Sequence, residues 1–172
     1  MDEAMIGSLI ASTLRVSTPL ILCALAGLLS ERSGVIDIGL EGKMLFAAFA
    51  AGAAGVTFGS TTIALLIAMG TTVLLSWLHG VACVSHRGDQ VVSGVAINII
   101  AVGMTAVLGI AWFSQGGQTP PVSNEVRMQA LMPGAVAALQ DVPFVGVIIG
   151  QGLLSHNIMV YATLLLVPAV WW

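Results

Sequence analysis

Charged side chains are scarce in this sequence: Asp, Glu, Lys and Arg make up only 8% of its 172 residues, against about 25% in soluble domains. Apolar residues make up 58%, which leaves too few polar side chains to cover a water-soluble surface. Basic clusters are lacking as well, and the net charge is −3. The sequence therefore has no positively charged patch of the kind that binds nucleic acid. The composition therefore indicates an integral membrane protein.

The sequence also lacks the motifs of the common catalytic sites. It contains no HExxH, no GxSxG and no zinc-ligand spacing, and its two cysteines form no CxxC pair. Its Gly42–Lys43 pair is not a P-loop, because Asp37 stands where the first glycine of GxxxxGK[ST] is required. We therefore predict a chain that is not an enzyme, with no cofactor and no metal.

Long apolar runs are what the sequence does contain. A transmembrane helix needs roughly 20 mostly apolar residues, and five segments are candidates: 5–30, 34–58, 62–84, 91–113 and 156–172. The connection 114–157 contains prolines and paired glycines that exclude a continuous helix. Within it, the short apolar run 144–154 is predicted to be re-entrant or interfacial. The expected fold is an all-α, polytopic transmembrane bundle in one domain, 1–172.

The last apolar run is short for a complete span. Residues 158–172 would form about 22 Å of helix, whereas the hydrocarbon core is about 30 Å thick. We therefore expect this sequence to be the N-terminal part of a longer protein. The alternative is that residues 155–157 belong to the helix, which then just spans.

Residues 31–43 are the most informative segment, since they contain five of the 13 charged residues and three glycines. Asp37 and Glu41 lie beside apolar spans, where a bare carboxylate costs several kcal/mol. One interpretation is a broken or re-entrant element, near residues 31–45, that faces a polar pathway. The other is a cytoplasmic loop in which Arg32 and Lys43 pair with the two glutamates of the segment.

The start of the fourth span is polar. Ser93 and Asn98 lie within this apolar helix, and a buried amide needs hydrogen-bonding partners. An interhelical hydrogen bond and a contact to substrate are therefore both possible for Asn98. His79, with no Cys, Asp or second His recognised near it, is interpreted as a packed or interfacial histidine. The four tryptophans fit interfacial anchors.

Two stretches resemble known patterns. Residues 30–44 read Ser-Glu-Arg-Ser-Gly-Val-Ile-Asp-Ile-Gly-Leu-Glu-Gly-Lys-Met, similar to ERSGVxNIGLEGxM, and residues 88–98 are similar to GNQVVSGLAIN. Both patterns are typical of ATP-binding-cassette importer permeases of the nucleoside and simple-sugar branch, related to ribose-type permeases. The resemblance covers essentially the whole chain. Asp37 departs from the pattern, because many relatives carry Asn at that position.

The resemblance implies a transport subunit in the bacterial inner membrane that crosses it several times. Its partners would be a second permease subunit, cytoplasmic ATP-binding subunits that hydrolyse ATP, and an extracytoplasmic substrate-binding protein. Such permeases are longer, and after a stretch like 168–172 they enter a basic cytoplasmic loop. The alternative function is a small self-contained membrane channel or scaffold.

The same resemblance suggests which residues touch the substrate. We expect Asp37 and Glu41 to lie near the translocation path or its gate, and Ser93 or Asn98 to line the cavity. No residue of the sequence distinguishes a nucleoside from a sugar.

The basic residues of the short loops predict the orientation of the chain. Arg32 and Lys43 lie in one short loop and Arg87 in another, with two spans between them, so the positive-inside rule places both loops in the cytoplasm. A topology reporter fused after Gln90 is expected to be cytoplasmic, and a reporter inserted within 114–157 extracytoplasmic. Reporters that both indicate the same side would contradict this topology.

Overall fold

The structure is a computed structural model and describes residues 3–139 and 146–171. These residues form α-helices and two π-helical segments, and they contain no β-strand apart from an isolated bridge between Ala130 and Asn157. The all-α prediction is therefore confirmed. In chain order the α-helices are α1 (Glu3–Arg32), α2 (Leu40–Phe58), α3 (Thr61–Gly80), α4 (Gln90–Phe113), α5 (Pro133–Leu139) and α6 (Ile158–Trp171).

Within the described residues, three helical segments are long and apolar enough to cross a membrane: Met5–Arg32, Thr61–Ser85 and Gln90–Phe113. The segment Thr61–Ser85 consists of α3 and the π-helical turn Val81–Ser85, which continues it. The other two predicted spans correspond to shorter helices, since α2 has 19 residues and α6 has 14. Non-helical backbone at residues 33–39 separates α1 from α2, as expected for a broken element.

The chain forms two compact units. One consists of Ala26–Arg127 and contains the last turns of α1 together with α2, α3 and α4. The other consists of Met1–Leu25 and Met128–Trp172. In this second unit the backbone N–H of Leu131 donates to the carbonyl of His156 at 3.0 Å, and Ile10 packs against Gly152.

The predicted re-entrant run 144–154 is described only in part. Residues 144 and 145 lie outside the described residues, and Gly146–Leu153 form the second π-helical segment. Pro133 is the first residue of α5, a position where the missing N–H of proline costs no helical hydrogen bond.

Helix α4 packs through a face of mostly small residues. The buried positions recur every three or four residues and are Gly94, Ile97, Ala101, Thr105 and Gly109. Apart from Ile97, its large apolar side chains are more exposed than this face; Ile99 and Val107 are 67% and 65% exposed. Small residues on the packed face and large ones outside are what close helix approach in lipid requires.

The backbone of another segment approaches this face closely at Gly94. A Cβ added there would lie 2.9 Å from the backbone N of Gly39 and 3.1 Å from the Cβ of Ile38. The backbone of α4 therefore lies directly against the segment that precedes α2. Gly103, on the same helix, has open space where its Cβ would be.

This difference predicts opposite effects for two identical substitutions in α4. Gly94→Ala is expected to destabilise the protein by about 1–3 kcal/mol, because backbone atoms must shift to accept the methyl group. Gly103→Ala is the matched control and is expected to be neutral or to stabilise by about 0.5–1 kcal/mol. Thermal melting of the detergent-purified variants measures both, and equal melting temperatures would contradict the close approach.

Candidate functional site

The segment between α1 and α2, residues 33–39, is termed the helix break. It begins where Gly34 adopts φ +84°, a left-handed conformation that glycine reaches without steric cost. The Ser30 hydroxyl donates to the carbonyl of Val35 at 2.8 Å, and the N–H of Gly34 donates to the carbonyl of Glu31 at 3.0 Å. These local bonds end α1 and turn the chain toward α2.

Two opposite charges are buried at the end of the helix break. The ammonium group of Lys43, in the first turns of α2, forms an ion pair with the carboxylate of Asp37. The two side chains are only 2% and 9% exposed. The second carboxylate oxygen of Asp37 accepts the N–H of Gly39 at 3.1 Å. Burial of either charge alone would be unfavourable, so the pairing is what allows both to be here.

Helix α3 adds a buried imidazole to this pair. His79 is 2% exposed, and its Nε2 lies 3.8 Å from Oδ1 of Asp37 and 3.4 Å from the carbonyl oxygen of Ile36. Its Nδ1 lies 3.1 Å from the hydroxyl of Ser93 on α4. His79 thus connects the helix break to α4. Asp37, Lys43, His79 and Ser93 are together termed the polar cluster.

Two amide side chains of α4 satisfy backbone groups of the helix break. Gln90 accepts the N–H of Ile36 at 2.7 Å and donates to the carbonyl of Gly34 at 3.4 Å. The non-helical backbone has no helical partners for these groups, and unpaired backbone groups are costly away from water. Gln90 therefore replaces hydrogen bonds that a continuous helix would have made.

Asn98, about two turns further along α4, also pairs with backbone groups at and just after the helix break. Its Oδ1 accepts the N–H of Gly42 at 2.7 Å, and its Nδ2 donates to the carbonyl of Ile38 at 3.1 Å. The N–H of Gly42 belongs to the first turn of α2, which has no intrahelical acceptor for it. A Cβ at Gly42 would lie 2.7 Å from the Cα of Asn98, so α2 and α4 are in direct contact here.

The turn before α4 fixes the direction in which these amides point. Arg87 has φ 52°, and Gly88 donates its N–H to the carbonyl of Ala82 at 3.0 Å. Asp89 caps α4, because its carboxylate accepts the N–H of Val92 at 3.0 Å. Gln90 and Ser93 then follow on the first turns of a helix that begins at a fixed point.

The structure places the four predicted site residues in different surroundings. Asp37 and Ser93 are members of the polar cluster, and Asn98 makes the interhelical hydrogen bonds given above. Glu41 is exposed in the first turn of α2, where a negative charge interacts favourably with the helix dipole. The pairing of Lys43 with a glutamate, one of the two sequence interpretations, is not observed, because Lys43 pairs with Asp37.

Sequence reasoning missed two residues of the site. Lys43 was considered only as a loop charge and as a partner of a glutamate, not of Asp37, and the view that His79 has no Asp or Cys near it was wrong. Cys83 lies one helical turn after His79, and its sulfur is 3.7 Å from the imidazole. A His and a Cys four residues apart lie on one helix face, so this spacing was the available signal.

The cluster offers hydrogen bonding and charge pairing between three helices. Within the described ranges, no group of three or more His, Cys, Asp or Glu side chains is arranged to hold a metal ion. The described side chains also leave no buried nitrogen or oxygen atom without a hydrogen-bond partner. Its chemistry is therefore that of a fully satisfied buried polar network, which holds the helix break in one conformation.

Comparison with known proteins gives related membrane transport chains. The chain is 38% identical to the guanosine ABC transporter permease protein NupQ of Bacillus subtilis over 94% of its own length and 51% of that protein. It is 39% identical to the nucleoside ABC transporter permease protein NupC of Lactococcus lactis, over 63% of this chain and 36% of that protein.

A putative glucose ABC transporter permease protein, TsgC13 of Haloferax volcanii, is 28% identical over 95% of this chain and 46% of that protein. The chain thus spans about half the length, or less, of these curated relatives. No solved structure matches it.

The family model described as branched-chain amino acid transport system, permease component, matches residues 9–172. This range includes the helix break, the polar cluster, two of the three helices of span length and all but the first four residues of Met5–Arg32. Long apolar helices and permease relatives together make the chain a membrane protein. It belongs to the family of the branched-chain amino acid transport system permease component.

Proposed function

We propose that the chain is a permease subunit of an ATP-binding-cassette importer and forms part of the path by which nucleosides cross the membrane. Similarity to a guanosine permease along nearly the whole chain is the observation that supports this most directly. Simple sugars are the alternative substrate, because a putative glucose permease is similar along the same length. The self-contained channel or scaffold is not favoured by either relative.

The polar cluster supports a role in positioning the helices of such a path. Alternating access needs elements with two discrete arrangements, and a helix broken by seven non-helical residues is a place where two helices can move separately. Asp37, Ser93 and Asn98 bind other parts of the protein, so we assign them to positioning. Glu41 is the exposed carboxylate beside them, and we assign it to the path or its gate.

The proposed assembly contains a second permease subunit, two cytoplasmic ATP-binding subunits and an extracytoplasmic substrate-binding protein. The permease does no covalent chemistry, and the energy comes from ATP hydrolysis on the separate subunits. In the orientation predicted from Arg32 and Arg87, the polar cluster lies near the cytoplasmic face of the bacterial inner membrane.

Uptake by the complete importer tests this function. Cells that express it are expected to accumulate radiolabelled guanosine, and unlabelled nucleosides should compete better than glucose or leucine. Glu41→Gln is expected to lower guanosine uptake several-fold with unchanged membrane abundance, because it removes a charge without changing a packed contact. Glu125→Gln changes an exposed glutamate outside the helix break and is the control, expected to leave uptake unchanged.

The possible outcomes test the nucleoside assignment and the assignment of Glu41 separately. Uptake of glucose or leucine but not guanosine would overturn the nucleoside assignment. Normal uptake by Glu41→Gln would overturn only the placement of Glu41 at the path.

The ion pair predicts a different pattern for Lys43. Lys43→Met leaves the buried carboxylate of Asp37 without its ammonium partner, and the loss of one member of a buried pair costs about 3–5 kcal/mol. We expect a large fall in folded protein, measured as membrane abundance and melting temperature. The double change Asp37→Asn with Lys43→Met removes both charges. The amide oxygen introduced at position 37 can still accept the N–H of Gly39.

Most of the abundance is therefore expected to return in the double variant. A double variant as scarce as Lys43→Met, or a single variant as abundant as the parent, would show that the two charges are not coupled.

A further inference from the structure

The unit Ala26–Arg127 contains a cavity whose described lining includes no residue of the polar cluster. It lies between the second half of α2, the first half of α3 and the end of α4, and its volume is about 690 Å³. Small-molecule sites in proteins have volumes of about 300–1,000 Å³. In the proposed orientation these helix ends face the extracytoplasmic side of the membrane, which is the side from which substrate arrives. The helix break lies at the opposite side.

Aromatic rings form one wall of this cavity. Phe49 and Trp112 stack with ring centroids 6.5 Å apart and an interplanar angle of 25°. Phe113 meets both rings edge to face, also at 6.5 Å. Phe49 is 7% exposed whereas Trp112 is 63% exposed. The buried ring of Phe49 therefore packs against the indole of Trp112, and most of the indole surface stays accessible.

The side-chain oxygen atoms of the lining belong to hydroxyl groups. Thr57 and Thr71 line the cavity and donate to the carbonyls of Ala53 and Ala68 on their own helices, at 2.7 and 2.8 Å. Because each hydroxyl proton is already engaged, the oxygen lone pairs remain as acceptors for N–H or O–H donors of a ligand. The described residues that line the cavity include no charged side chain.

These features select one class of ligand. A zwitterionic amino acid or a phosphate would enter without a counter-charge, which is costly in an apolar site. A plain sugar has hydroxyl groups over most of its surface, and most of these would stay unpaired against a lining whose hydroxyl groups are those of two threonines. A nucleoside is neutral, its base presents a flat π surface, and stacking of a base on an aromatic side chain contributes about 1–3 kcal/mol.

We infer that this aromatic cavity binds the base of a transported nucleoside, with the outer face of Trp112 as the stacking surface. The inference rests on the proposed function and names a place in the permease where the substrate is bound. Phe46 completes the apolar lining, and the threonine oxygens accept hydrogen bonds from the amino group of the base or from the ribose.

Photolabelling of the purified complete importer tests the inference, with 8-azidoguanosine as the probe. Label is expected on peptides from the second half of α2 or the end of α4, and excess guanosine but not ribose should suppress it. Trp112→Leu keeps an apolar side chain without the ring, and it is expected to reduce labelling and guanosine uptake about tenfold, equivalent to the loss of about 1.4 kcal/mol. Trp112→Phe should retain much of both.

Trp77→Leu is the matched control, because Trp77 on α3 is 65% exposed and is not part of the lining. It should leave labelling and uptake unchanged at equal membrane abundance. Guanosine uptake that is insensitive to Trp112→Leu, label on the permease chain outside these two helix segments, or co-purified phospholipid lost in Trp112→Leu without change in uptake would overturn the cavity assignment alone. An importer with intact Trp112 that takes up no nucleoside would overturn the proposed function itself.

Discussion

The ion pair between Asp37 and Lys43 is the interaction on which the rest of the unit Ala26–Arg127 depends. Each charge lies at the helix break, and neither has enough contact with water to be stable alone. The pair fixes the start of α2 relative to the non-helical residues before it. Because His79 contacts both the pair and Ser93, the positions of α3 and α4 are set from the same point.

A break in a helix inside a membrane protein creates a second problem, which is unpaired backbone. Gln90 and Asn98 solve it with side-chain amides that both donate and accept. They reach the break only because α4 approaches it closely, and Gly94 permits that approach. Glycine at one position, amides at two others and a buried ion pair are thus one arrangement, since each would be unfavourable without the others.

The membrane class, the helical fold and the position of the break followed from composition, apolar runs and the glycines of residues 31–43. Those are local properties of the sequence. The partner of each polar side chain is not local: Asp37 meets His79 from a helix more than 40 residues away, and Asn98 reaches back to Gly42. The sequence pattern therefore identified Asp37, Ser93 and Asn98 as unusual, whereas Lys43 and His79 acquire their roles only from tertiary packing.

The departure of Asp37 from the resembled pattern now has a physical account. The pattern ERSGVxNIGLEGxM has Asn at this position and leaves the residue before its final Met open, and here that open position is Lys43. An Asn side chain can accept the N–H of Gly39 as Asp37 does, but it needs no counter-charge. With Asp at this position, a buried cation becomes necessary, and Lys43 supplies it from the adjacent turn of α2. Asp37 and Lys43 therefore act together at the break: an ion pair is added to the hydrogen bond that Asp37 accepts from Gly39, and this pair must be broken or moved intact whenever the break changes shape.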